Sequence, residues 1–170
     1  TDHDAAQLQQ QGLKKWLAAQ LTLSTSPMPA EVQQRIDALT ISQKPMVQIQ
    51  REIAEQRQAI RSTQDADEAA RLRQDLQRQL NQLGAETQKR QIWRALYSPH
   101  QLQEQMTWFW MNHFNVSTRK GDVRMWVGDY EEQAIRPLAL GNFRDLLAAS
   151  MRHPAMLLYL DNASNAAGRI

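Results

Sequence analysis

The 170-residue chain has no cysteine, which excludes disulfides, a thiolate nucleophile and any zinc site built on cysteine. Glycine and proline are scarce, six of each, so the chain has few natural breaks and the segments between them are long. No apolar run approaches the roughly 18 residues that a membrane-spanning helix needs. The opening Thr1-Asp2-His3-Asp4 lacks the basic and apolar parts of a secretion signal. Charge of one sign is also missing in quantity, because 20 Lys and Arg face 18 Asp and Glu, a formal +2. So small an excess offers little to a polyanion, and no nucleic-acid partner is expected. A chain of this size can still bury about 70% of its unfolded surface without staples.

What fills the segments is Gln, Arg, Ala and Leu, good helix formers that predict an all-α fold. A first amphipathic helix is expected over residues 4 to 21, with Leu8, Leu13, Trp16, Leu17 and Leu21 as its stripe and Gly12 inside it. The Ser24 to Pro29 run ends it, and a short helix then carries Val32, Ile36 and Leu39. From Pro45, the residues Met46, Ile49, Ile53 and Ile60 make a sparse stripe on a helix otherwise composed of Gln, Arg and Glu. Asp65 and Glu68 have capping-box spacing, after which Leu72, Leu76, Leu80 and Leu83 continue toward Ile92, Trp93 and Leu96.

These two helices are expected to pair as a long antiparallel hairpin over residues 45–98 that projects from a single helical domain, 1–170. Unbroken, its second helix would be about 50 Å long, with Gly84 as a kink or a packing contact. The thin stripe at Ile49, Ile53 and Ile60 suits a protein partner or self-association through this arm. Its many arginines alternate with Glu and Asp, the pattern of a solvated face.

Ser98-Pro99 restarts the chain as N-cap and first helical residue. The following helix carries Met106-Thr107-Trp108-Phe109-Trp110-Met111-Asn112-His113-Phe114, which holds two of the five tryptophans and two of the three phenylalanines. Met106, Phe109, Trp110 and His113 share one face, which makes this the expected central core helix. Val116, Val123, Met125 and Val127, with Arg119 to Asp122 as a turn, allow one small β-hairpin near 115–128. Asp129 and Glu132 repeat the capping-box spacing before a helix in which Pro137 is a kink or boundary. Gly141-Asn142 breaks the pattern, Phe143 to Met151 forms the next helix, and His153-Pro154 opens a last one that is apolar nearly all round and therefore buried.

Candidate chemistry is thin. His113 beside Asn112 could serve as an oriented base or a ligand, but no HxxxH or HxxE pair accompanies it, and no metal site is expected. Its simpler reading is a hydrogen-bonded core histidine. Arg136 and Arg144 near Gly141 suit either helix-end ion pairs with Asp145 or an anion site. No serine sits in a nucleophile elbow.

Residues 92 to 162 run IWRALYSPHQLQEQMTWFWMNHFNV, then KGDVRMWVGDYEEQAIRPLALGNFRDLL, then HPAMLLYLDN. With Gly12 to Leu21 they resemble the bacterial family numbered 1800 among domains of unknown function. The resemblance implies a helical protein, exported or periplasmic in a bacterium, and no reaction or cofactor. Members usually extend well past Asn162 through an Asn-, Glu- and Arg-rich segment, which makes these residues the N-terminal portion of a longer protein. The absent initiator Met and the loop-like end at Ile170 point the same way. Where members often carry a histidine after the Arg-Pro pair, this chain has Leu138, which argues against a multi-histidine metal site.

Two functions follow as expectations. The first is a scaffold or partner-binding helical region. The alternative is part of a hydrolase-like or metal-dependent enzyme in which His113, Arg136 and Asp161 converge and residues beyond 170 complete the site.

Overall fold

The computed structural model describes residues 2–22 and 27–162. Among them there are ten α-helices and no strand, so the fold is all-α. The first expected helix is two, α1 (Asp2–Gln11) and α2 (Leu13–Leu21), because Gly12 takes a positive φ of 76° that only glycine adopts cheaply. The break lets α2 pack independently. Gln20 donates to the Pro99 carbonyl at 2.8 Å and accepts from the Leu102 backbone at 3.1 Å, pinning α2 to the start of α7 (Gln101–His113). The Ser24 to Ser26 part of the expected terminator lies outside the described residues.

Short helices α3 (Ala30–Asp37) and α4 (Thr40–Gln43) lead into the hairpin, α5 (Met46–Ser62) and α6 (Ala66–Tyr97). At 32 residues, α6 is about 48 Å long. Asp65 caps it, its carboxylate accepting from the Asp67 and Glu68 amides. Gly84 does not interrupt it; a Cβ there would touch the Arg124 side chain at 3.4 Å. Of the stripe expected to meet a partner, Ile49 and Ile53 are buried with Leu80, Leu83, Met125 and Trp126, and Ile60 is half-buried. Exposed arm arginines take local acids, Arg51 with Glu55 and Arg78 with Asp75.

The helix start after Ser98-Pro99 is two residues later than the spacing suggests. Ser98 Oγ accepts from the His100 amide, and helical geometry begins at Gln101. The β-hairpin expected near 115–128 is absent. Its first half is a run of turns, with Lys120 bonded to Ser117 and Val123 to Lys120 through the backbone, and its second half is α8 (Val123–Asp129). Val123, Met125, Trp126, Val127 and Gly128 are all buried, because α8 lies between α6 and α10 (Pro154–Tyr159). A helix enclosed on several sides loses the one-faced pattern that would distinguish it from a strand.

No cap follows α8. Asp129 instead takes the ring of His153, Nε2 to Oδ2 at 3.0 Å, and the chain continues as a π-helical segment, Tyr130–Ile135, into a 3-10 turn, Arg136–Leu138, that carries Pro137. Asn142 caps α9 (Phe143–Arg152) by accepting from the Arg144 amide. His153 caps α10 through Nδ1. That last helix is less enclosed than its composition suggests: Ala155 and Met156 are buried, Leu157 to Tyr159 are partly buried and Leu160 is exposed. The core gathers at Ile53, Val123, Tyr130, Ile135 and Leu146.

The helices α6 and α8 approach closely at Gly128. A Cβ on Gly128 would lie 2.6 Å from Thr87 Oγ1. Gly128→Ala must therefore separate the helices or displace Thr87, and a loss of about 1–3 kcal/mol in urea-unfolding free energy is expected. An unchanged midpoint would show that the helices do not meet this closely.

Candidate functional site

The face of α7 that turns inward is polar. Gln103, Glu104 and Thr107 are buried, while Trp108 is 68% and Phe109 49% exposed, which overturns the expectation of a central core helix. Charge explains the inversion. Glu104 pairs with Arg136, Gln103 Nε2 donates to the Arg136 carbonyl at 3.3 Å, and Thr107 bonds back to the Gln103 carbonyl. Pairing desolvated groups outweighs hiding one more aromatic ring, because a buried charge without a partner costs several kcal/mol. Trp110 keeps an intermediate position, its indole N–H donating to the Ala139 carbonyl at 3.0 Å.

Arg136 belongs to a larger set of charges between α6 and the π-helical segment. Arg90, 3% exposed, donates to the Gly128 carbonyl at 2.6 Å and lies 3.5 Å from Glu132. Arg94 grips the same Glu132 through both terminal nitrogens, at 2.6 and 3.2 Å. Burial pushes the Glu132 carboxyl up, but the hydrogen bonds and charge of Arg94, with Arg90 and Arg136, outweigh it and hold the group below its usual range. Burial likewise lowers Arg90 against the pull of Glu132 and Glu131.

Glu131 is the exception. It is 2% exposed, it accepts one hydrogen bond, from Gln91 Nε2 at 2.6 Å, and among the described residues it forms no ion pair. Burial raises its pKa despite the opposing effects of Arg90, Gln91 and Arg94. Burial shifts such a carboxyl toward its neutral form, in which it can donate as well as accept.

Glu131 and Glu104 both line a cleft of about 420 Å³ between α6 and α7, whose other lining residues include Ile92, Ala95, Trp108 and Met111. The volume lies in the range of small-molecule sites, as does the combination of apolar walls with a few convergent polar groups. A second cleft of about 460 Å³ lies between α5, α8 and α10, with Arg57 and Asp122 paired in its wall.

The residues singled out from sequence take separate partners. His113, the last residue of α7, is exposed, with its ring stacked on Phe109 at 6.1 Å and edge-on to Trp110 and Phe114 at 5.7 and 4.8 Å. It is a surface ring rather than a core one. Arg136 turns inward to Glu104, and Asp161, past α10, accepts from Lys120 Nζ at 2.7 Å. Arg144 and Asp145 are exposed, whereas Arg136 is engaged by Glu104. Among the described residues, no group of three or more His, Asp or Glu side chains could hold a metal ion.

Glu104 and Glu131 were not picked out by sequence reasoning. The available signal was local: Glu131-Glu132 follows the apolar-rich stretch Met125-Trp126-Val127-Gly128 after only Asp129 and Tyr130, and Arg90 and Arg94 are spaced i, i+4. Charges embedded in apolar sequence are rarely buried unless paired.

Compared with known proteins, residues 1–170 match one family model, described as Protein of unknown function (DUF1800). No curated protein and no solved structure matches the chain.

Two outcomes test the charge arrangement. Arg136→Ala strands the buried Glu104 carboxylate and is expected to lower unfolding free energy by about 3–5 kcal/mol. The double change Glu104→Gln/Arg136→Met should lose distinctly less. Equal losses in the single and double variants would mean that a Glu104 carboxylate left without its partner costs nothing there.

For Glu131 the sign follows from proton uptake. The folded state holds its proton to higher pH than the unfolded chain, where the pKa is about 4.3, so its contribution to stability falls as pH rises from there through the raised folded value. Glu131→Gln should remove that decline and raise the melting temperature at neutral pH, measured by calorimetry across a pH series. Parallel pH profiles for the two proteins would contradict this.

Proposed function

The chain belongs to this family of unknown function, and from that premise we propose that it is a binding module whose working surface is the cleft between α6 and α7. One observation carries the reading: apolar walls enclose about 420 Å³ above two buried carboxyl groups. The occupant this suits has the size of a small ligand or a single long side chain, with an apolar body against Ile92, Ala95, Trp108 and Met111 and a polar head at Glu104 and Glu131.

The arm is a poorer surface, because Ile49 and Ile53 are already enclosed by this chain's own helices. On this proposal the module works in an exported or periplasmic bacterial setting, whose redox state leaves a cysteine-free chain unaffected. A hydrolase-like reaction is the second reading. It would use Glu131 as a general acid in the cleft rather than His113, Arg136 and Asp161 acting together.

Ala95 is exposed and lines the cleft, so Ala95→Trp should fill the space without disturbing the fold. In ligand-detected NMR with a mixed set of alkyl and aryl fragments, the native protein is expected to give binders that the variant holds about tenfold more weakly or worse. The same fragments binding both proteins equally would sink the cleft as the site.

A further inference from the structure

Resting on that reading, we propose that the cleft selects an uncharged head group that both accepts and donates hydrogen bonds, a primary carboxamide in the first instance. The inference comes from two unspent oxygens. Glu131 uses Oε2 on Gln91, and Glu104 uses Oε1 on Arg136. Among the described residues, the second oxygen of each has no protein donor. Neither belongs to the sealed, unpartnered polar atoms of the interior, which are Trp16 Nε1, Arg90 Nε, His100 Nδ1, Trp126 Nε1 and Arg136 Nε. Both residues line the cleft, which is where a ligand would meet these oxygens.

The two carboxyls differ in what they offer. Glu104 has a guanidinium donating to it, which makes it the acceptor of the two. Glu131 has only an amide N–H against it and is buried, so its neutral form supplies an O–H donor. The charges bearing on Glu131 are Arg90 and Arg94 from α6 and Glu132 from its own segment. Arg136 in the following turn and Glu104 on α7 form a neutral pair beside the same cleft. With Glu131 neutral, Arg90, Arg94 and Arg136 exceed Glu104 and Glu132 by one positive charge. An ammonium head would add to that excess, and a carboxylate head would meet Glu104 directly. A carboxamide avoids both penalties: its carbonyl accepts from Glu131 and its NH₂ donates to Glu104. Trp108, at the rim and largely exposed, offers a flat apolar surface to the body of such a ligand.

Titrations with hexanamide, hexylamine and hexanoate, at equal chain length, test the head group. Hexanamide is expected to bind the native protein about tenfold more tightly than either charged analogue. Its affinity should fall as pH rises and Glu131 loses its proton. Glu131→Gln, which keeps a donor at that position, should retain hexanamide binding and lose the pH dependence, with circular dichroism confirming the fold. A blocked tripeptide with one central glutamine separates sources: tighter binding than hexanamide assigns a polypeptide side chain, and weaker binding assigns a free amide. Preference for hexylamine, or equal affinity for all three heads, would overturn the carboxamide assignment and leave the cleft intact. Binding that Ala95→Trp fails to weaken would instead remove the cleft reading itself.

Discussion

Burial of Arg90 constrains more of this molecule than any other single side chain. A guanidinium this enclosed must find acceptors within reach, and its nearest are the Gly128 carbonyl and Glu132. Both lie on the stretch after α6 that the chain must bring back against it. Meeting that demand requires α8 to approach α6 at a residue without a side chain, and it fixes the phase of the segment that follows. Once Glu132 is claimed by Arg90 and Arg94, its neighbour Glu131 is directed to Gln91 and the cleft. The inversion of α7 is the matching step on the other side, since Glu104 must face Arg136.

A cleft placed beside so many ion pairs is held on rigid elements. Its walls are the last turns of α6 and the body of α7, and its floor is supported by hydrogen bonds that span 32 to 40 positions of sequence. Geometry of this kind favours recognition, because the polar groups keep their positions without a ligand and little ordering is needed on binding. The aromatic ring system around His113 lies at the opposite end of α7 from Glu104, and α9 contributes Phe143 to it.

Legibility in the sequence followed the range of the interaction concerned. The helical class, the two helices of the hairpin, the Asp65 cap and the opening of α10 at His153 were readable because each depends on residues within a few positions of one another. The breaks at Gly12 and after Ser98 were visible as residues but not as geometry, since either could have been absorbed into a longer helix. The aromatic run was misread for a physical reason: periodicity identifies an apolar face without saying which face wins the interior. A glutamate whose partner is 32 positions away decided that contest. Glu131 was illegible for the same reason, because its distinction lies in lacking a cation when Glu104 and Glu132 each have one.

The π-helical segment settles how one short stretch can serve so many neighbours. Each wide turn holds one residue more than an α-helical turn would, and one residue corresponds to about 100° of rotation. Tyr130 points to Ser150 and the Phe114 carbonyl, Glu131 to the cleft, Glu132 to the arginines and Ile135 to the core. The segment thus acts as a phase adjuster between the helix before it and the turn after it. Removing one residue from the segment would turn every later side chain by about 100° relative to those before it.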